Sequence, residues 1–127
     1  MVLSVPERAR VFVLDDSEDR IQSFRTWLPQ MRSAKTAAEA MEILEEEPFD
    51  FVFLDHDLHW LDAADLSRQH GNGKEVARYL RIRNFAGRVV IHSRNVEAAA
   101  LMKKILPQAT LAPFGDFSIV MSQGAAH

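Results

Sequence analysis

The sequence predicts an α/β domain in which a parallel sheet is wrapped by helices on both faces. Three observations lead there. Short runs such as Val11–Leu14 and Phe51–Leu54 are apolar at every position, the mark of strands buried on both faces rather than one. Segments with helical spacing alternate with them along the chain. The chain has 127 residues, 47% of them hydrophobic and 26% charged, which suits one domain with a full core. That domain is read as residues 1–127, with its core at about 10–113.

The first predicted strand runs from Arg10 to Leu14 and ends in Asp15-Asp16. Ser17 or Asp16 caps the helix that follows, with Glu18 and Asp19 in its first turn, where the macrodipole favours acids. Ile21, Phe24, Trp27 and Leu28 form its apolar stripe, and Pro29 stops it. Met31 to Thr36 is a short second strand. Ala37 to Glu46 is an amphipathic helix with Ala37, Ala40, Met41 and Leu44 on one face and Glu39, Glu42, Glu45 and Glu46 on the other. The third strand, Phe51–Leu54, runs into Asp55-His56-Asp57-Leu58. A polar stretch from His59 to Asn72 is longer than an ordinary connection. Gly73 opens a helix with Val76, Ala77 and Leu80 inward, and Gly87 follows it. The fourth strand, Arg88–His92, closes on Ser93. Asn95 caps a helix running to Leu106, and Pro107 ends it. Ala109–Ala112 is a weak fifth strand before Pro113. The tail from Phe114, with Phe117, Ile119, Val120 and Met121, is read as a short helix or an irregular segment. Right-handed crossovers restrict how such strands connect.

Composition excludes several functions. The formal net charge of -3 offers no basic excess for nucleic acid. The absence of cysteine rules out disulfides, thiolate metal sites and cysteine nucleophiles, and suits the cytoplasm. No apolar run reaches the length of about 20 residues that spans a bilayer. No apolar stretch behind a basic start marks a secretory signal.

Three strands end in reactive side chains: Asp15-Asp16, Asp55-His56-Asp57 and His92-Ser93. In a parallel sheet these ends share one rim, where open α/β sheets place their sites. Carboxylates gathered there repel one another unless a cation joins them. Their hard oxygens suit Mg²⁺, then Mn²⁺ or Ca²⁺. Asp15, Asp16, Asp55 and Asp57 are therefore the candidate metal ligands. His56 and His92, which titrate near neutral pH, are candidates for acid, base or ligand.

In order and spacing these motifs resemble the response-regulator receiver family over roughly residues 10 to 113: Asp15-Asp16, Asp55, Gly73, Ser93 and Pro113, each after its expected element. The resemblance implies a three-layer flavodoxin-like fold with a five-stranded parallel sheet in the order 2-1-3-4-5, its last helix here short or irregular. It implies Mg²⁺ held by Asp15 or Asp16, Asp55 and the backbone carbonyl of Asp57. Asp55 would be the phosphoryl acceptor, and Ser93 would hydrogen-bond the phosphoryl group.

The sequence departs from that pattern. Ala112 stands where the family places a lysine, with Lys74 or Arg94 as replacements to consider. Ala109 stands at the aromatic switch position, and His56, Asp57 and His59 follow the acceptor. The runs Asp55-His56-Asp57-Leu58 and His92-Ser93-Arg94-Asn95 are similar to the divergent group described as cyclic-phosphate-processing receivers. That resemblance implies metal-assisted hydrolysis of cyclic phosphates, with Asp55, His56, His92 and Ser93 as the catalytic residues. The alternatives are a phosphoaccepting receiver of a two-component relay and a non-catalytic pseudo-receiver that only binds. Partners would be a phosphate-bearing small molecule or a phosphodonor protein, with nucleic acid only as a cyclic-phosphate end. Asp55-x-Asp57 lies on the third strand, which argues against a haloacid-dehalogenase-type phosphatase. His59 and His70 are read as solvated, Trp60 and Leu61 as a satellite core, and Arg78, Arg81, Arg83 and Arg88 as a solvated face. His127 is read as functionally irrelevant.

Overall fold

The computed structural model describes residues 1–58 and 72–123. His59, Trp60, Leu61, His70 and His127 lie outside the described residues.

Five strands form a parallel sheet: β2 (Val11–Leu14), β3 (Arg32–Ala34), β4 (Phe51–Leu54), β5 (Arg88–Ile91) and β6 (Thr110–Leu111), in the order β3-β2-β4-β5-β6. This is the predicted order 2-1-3-4-5, shifted in number because another strand, β1 (Val2–Pro6), comes before it. Every residue of β2 and β4 is buried, which explains why neither shows an alternating pattern. Leu14 pairs with Leu54, and Leu54 with Ile91. The three strands therefore end level, and Asp15, Asp55 and His92 emerge side by side. Backbone bonds continue past the strand ends: Asp55 N donates to Leu14 O at 3.0 Å and His92 N to Leu54 O at 2.9 Å. The rim is thus held by the ladder itself.

The helices begin at capping side chains. Ser17 Oγ accepts from Arg20 N at the start of α1 (Glu18–Trp27), and Thr36 Oγ1 from Glu39 N at α2 (Ala37–Glu46). Asn72 Oδ1 accepts from Lys74 N at α3 (Gly73–Ile82), and Asn95 Oδ1 from Ala98 N at α4 (Val96–Ile105). Each satisfies a backbone donor that the helix cannot pair internally. Gly73, the first residue of α3, donates its N–H to His56 O at 3.0 Å. A β-carbon there would stand 2.0 Å from Asp55 O. Gly73→Ala should therefore force α3 away from the rim, with a loss of about 1–3 kcal/mol, read from a urea melt.

One face of the sheet is covered by α2, α3 and α4 around Phe12, Leu14, Val52, Leu54 and Ile91. The other face carries α1 and an aromatic group of Phe24, Phe51, Phe53 and Phe117. A short helix or irregular tail is expected after Pro113, but the chain there forms a strand, β7 (Ser118–Ser122), parallel to β1. Leu3, Val5 and Ile119 from this two-stranded sheet are buried against Phe24 and Phe53. Ile119-Val120-Met121 is β-branched and apolar enough for a strand. What decides the outcome is its pairing partner more than a hundred residues earlier, which local pattern does not reveal.

Candidate functional site

Asp15 lies at the centre of the rim and is fully buried. Its carboxylate is saturated by four donors. Oδ1 accepts from Ser17 N and Arg20 Nη2, and Oδ2 from Arg20 Nε and His92 Nε2, each at 2.9 Å. Burial raises its pKa, but the hydrogen bonds from His92 and Arg20 outweigh that and hold it below the ordinary carboxylate value. Asp55 is 6% exposed and in the opposite state. Burial pushes its pKa up and the negative charge of Asp15 adds to this, while His92, the His56 N–H and Arg20 only partly offset the rise.

Arg20 ties the carboxylates together. Its guanidinium grips Asp15 with two N–H groups, and Nη2 lies 3.5 Å from Asp55 Oδ2 and 3.6 Å from Asp16 Oδ1. Sequence reasoning passed over this residue. The signal was faint: Asp16 and Arg20 stand four residues apart, an acid–base pair across the start of α1.

His92 is buried, with Nε2 on Asp15 and its ring against Phe24 at 5.0 Å. Its Nδ1 has no hydrogen-bond partner among the described residues. His56 sits beside Asp57, with Nδ1 2.6 Å from Asp57 Oδ1. Asn95 Nδ2 donates to the same carboxylate at 3.3 and 3.4 Å. His56 Nε2 is buried and likewise without a partner among the described residues. The two histidines thus each hold a carboxylate by one ring nitrogen, but only His92 does so next to Asp55. Ser93 is 3% exposed, and its Oγ accepts from Asn95 N.

A cavity of about 140 Å³ opens at this rim, lined by Arg20, Asp55, Asp57, His92, Ser93, Arg94, Asn95 and Phe114. Of the two cations considered as stand-ins at the rim, Arg94 lines the cavity and Lys74 does not. Arg94 Nη1 also donates to Phe114 O at 2.8 Å. Ala112 is buried in the aromatic face of the core.

The donor set fits a divalent cation. Ligand atoms of Asp15, Asp55 and His92 lie within 4.8 Å of one another. Asp55 in particular is a buried carboxylate short of positive charge. Asp16 flanks this trio through Arg20, and the Asp57 carboxylate, on the same cavity, meets His56 and Asn95.

A sequence-family model described as "Cyclic-phosphate processing Receiver domain" matches residues 10–108. The chain belongs to this family. Solved structures agree on the fold. The receiver domain of a putative Luxo repressor protein from Vibrio parahaemolyticus aligns with TM-score 0.66 at 15% identity, covering 85% of this chain and 79% of that one. TrrA from Thermotoga maritima, solved in complex with Mg(2+)-BeF, aligns with TM-score 0.64 at 17% identity over 84% and 89%. A Burkholderia pseudomallei response regulator, solved with a phosphorylated aspartic acid, calcium ion and citrate, aligns with TM-score 0.63 at 20% identity over 82% and 59%. No curated protein matches the sequence. Among the described residues of this receiver domain, no helix is long and apolar enough to cross a membrane.

Proposed function

We propose that this receiver domain opens cyclic phosphates by metal-assisted hydrolysis, with Asp55 at the centre of the site. The observation that carries the reading is the Asp15–His92 pair beside Asp55, on a cavity that opens at the same rim. The substrate would be the cyclic phosphate of a small molecule or of a nucleic-acid end. A phosphodonor protein is the corresponding partner under the relay reading below.

Asp55 and Asp16 would hold Mg²⁺ or Mn²⁺, and Asp15 would join them only by giving up Arg20 or His92. The bound ion would supply positive charge to the non-bridging phosphate oxygens. Water adds to phosphorus as one ring P–O bond breaks, giving a phosphomonoester and a free hydroxyl. The proton leaves the water and ends on the departing oxygen. His92 is the proposed carrier, because it lines the cavity beside Asp55 and its Nε2 bond to Asp15 orients the ring. Ser93 Oγ and Asn95 line the cavity where a phosphate oxygen would rest. His56, oriented by Asp57, is the candidate second acid.

The test is turnover of cyclic phosphate substrates by the purified protein with Mg²⁺ or Mn²⁺. His92→Ala should lower the rate about 100-fold or more, the usual worth of a positioned acid–base group. A folded protein that binds the ion and hydrolyses no cyclic phosphate would sink the reading. The position of Asp55 beside Ser93 favours a second one, phosphoryl acceptance at Asp55. Treatment with a small phosphodonor should then add one phosphate by mass, and an unlabelled protein alongside a labelled control receiver would exclude it.

A further inference from the structure

We propose that Arg20 is the phosphate-binding residue of this site. The inference rests on the reading that a phosphate group and a divalent cation meet at Asp55, and it names the residue that receives the phosphate.

The geometry of the guanidinium is the first ground. Nε and Nη2 are spent on the two oxygens of Asp15, a bidentate grip on a carboxylate that is itself fully buried. Such a grip fixes the plane of the guanidinium; Nη2 also reaches Asp55 Oδ2 at 3.5 Å, which leaves Nη1 for a further anion. Nη1 makes no hydrogen bond among the described residues, and Arg20 lines the cavity with Asp55 and Ser93. The side chain is one-third exposed, so a ligand reaches it without unfolding α1.

Charge is the second ground. Asp15, Asp16 and Asp55 bring three negative charges within 3.6 Å of one guanidinium. Two negative charges remain, and a divalent cation cancels them. The loaded site is then neutral, and a phosphate approaches without net repulsion. Without Arg20 the loaded site carries a negative charge and repels the same ligand. Arg94 and Asp57, also on the cavity, offset one another in this count, and Ala112 offers no charge.

The experiment titrates the full chain by calorimetry, first with Mg²⁺ alone, then with inorganic phosphate at saturating Mg²⁺. Wild type, Arg20→Met and Arg20→Lys are compared. Arg20→Met should weaken phosphate binding at least tenfold while Mg²⁺ binds as tightly as before or more tightly, because a competing cation has left. Arg20→Lys, which keeps the charge but not the fork, should fall between. Unchanged phosphate affinity in a folded Arg20→Met overturns the proposal. So does a parallel loss of Mg²⁺ and phosphate, which would mean that Arg20 only holds the carboxylates in place. If Arg20→Met does not fold, Arg20→Lys decides: a threefold or greater loss for phosphate alone supports the proposal, and wild-type affinity overturns it. Failure of wild type to bind either ligand would instead refute the metal–phosphate site itself, and the role of Arg20 with it.

Discussion

Asp55→Asn is expected to lower cyclic-phosphate turnover by about 1,000-fold, the scale on which removing a charge-stabilising group acts, and at the same time to stabilise the metal-free protein. The two effects share one cause. Asp55 is buried beside Asp15, and its pKa stands above the ordinary value because burial and that neighbour disfavour the charge. A group whose folded pKa is raised adds stability below its unfolded value, near 3.9, and loses it as pH rises through the folded value. Asparagine removes that dependence. Chemical melts without metal should therefore agree for the two proteins near pH 3 and diverge above it, with the variant the more stable. Asp15 contributes in the opposite sense. Its lowered pKa gives stability that is present above the unfolded value and lost as pH falls through the folded value, in both proteins alike. Adding Mg²⁺ should raise the melting temperature of wild type and leave Asp55→Asn almost unmoved, since binding to the native state alone stabilises it. If the variant is less stable than wild type at pH 7 without metal, the account of an under-compensated carboxylate is wrong.

The carboxylates of the candidate site were legible because each follows a fully apolar strand. A buried parallel strand announces its own end, and the sheet carries Asp15, Asp55 and His92 to one rim whatever the loops do. What each side chain does there was less legible. Asp57 shares its strand end with Asp55, yet its carboxylate turns to His56 and Asn95, an outcome set by one neighbour in the Asp55–Asp57 turn and by the cap of α4. Arg20 was hidden because a basic residue on an exposed helical turn is usually a solvated one. Its importance comes from Asp15, five residues back, being buried. The β1–β7 pair was hidden for a different reason. Pairing between Val2–Pro6 and Ser118–Ser122 joins the two ends of the described chain, and no periodicity in either segment names the other.

Phe24→Ala should be the most damaging of the core substitutions, at about 3–5 kcal/mol, the range found when a large buried aromatic is truncated. Phe24 is fully buried and is where the parts of the aromatic face meet. Its ring lies 5.1 Å from Phe53 on the sheet, 6.0 Å from Trp27 on its own helix, and 5.6 and 6.1 Å from Phe114 and Phe117 before β7. It also lies 5.0 Å from His92. Loss of the ring would thus loosen the packing of α1, the support of β7 and one wall of the histidine together. Because α1 carries Arg20, the same change reaches the site from both sides. A folded Phe24→Leu variant separates the two consequences. It keeps apolar volume and should lose only part of the stability, but it no longer presents a flat ring to His92. Its turnover should fall more than its melting temperature suggests, with the Mg²⁺ affinity little altered. Should Phe24→Leu lose stability while turnover stays at the wild-type rate, Phe24 would be holding the fold without positioning His92.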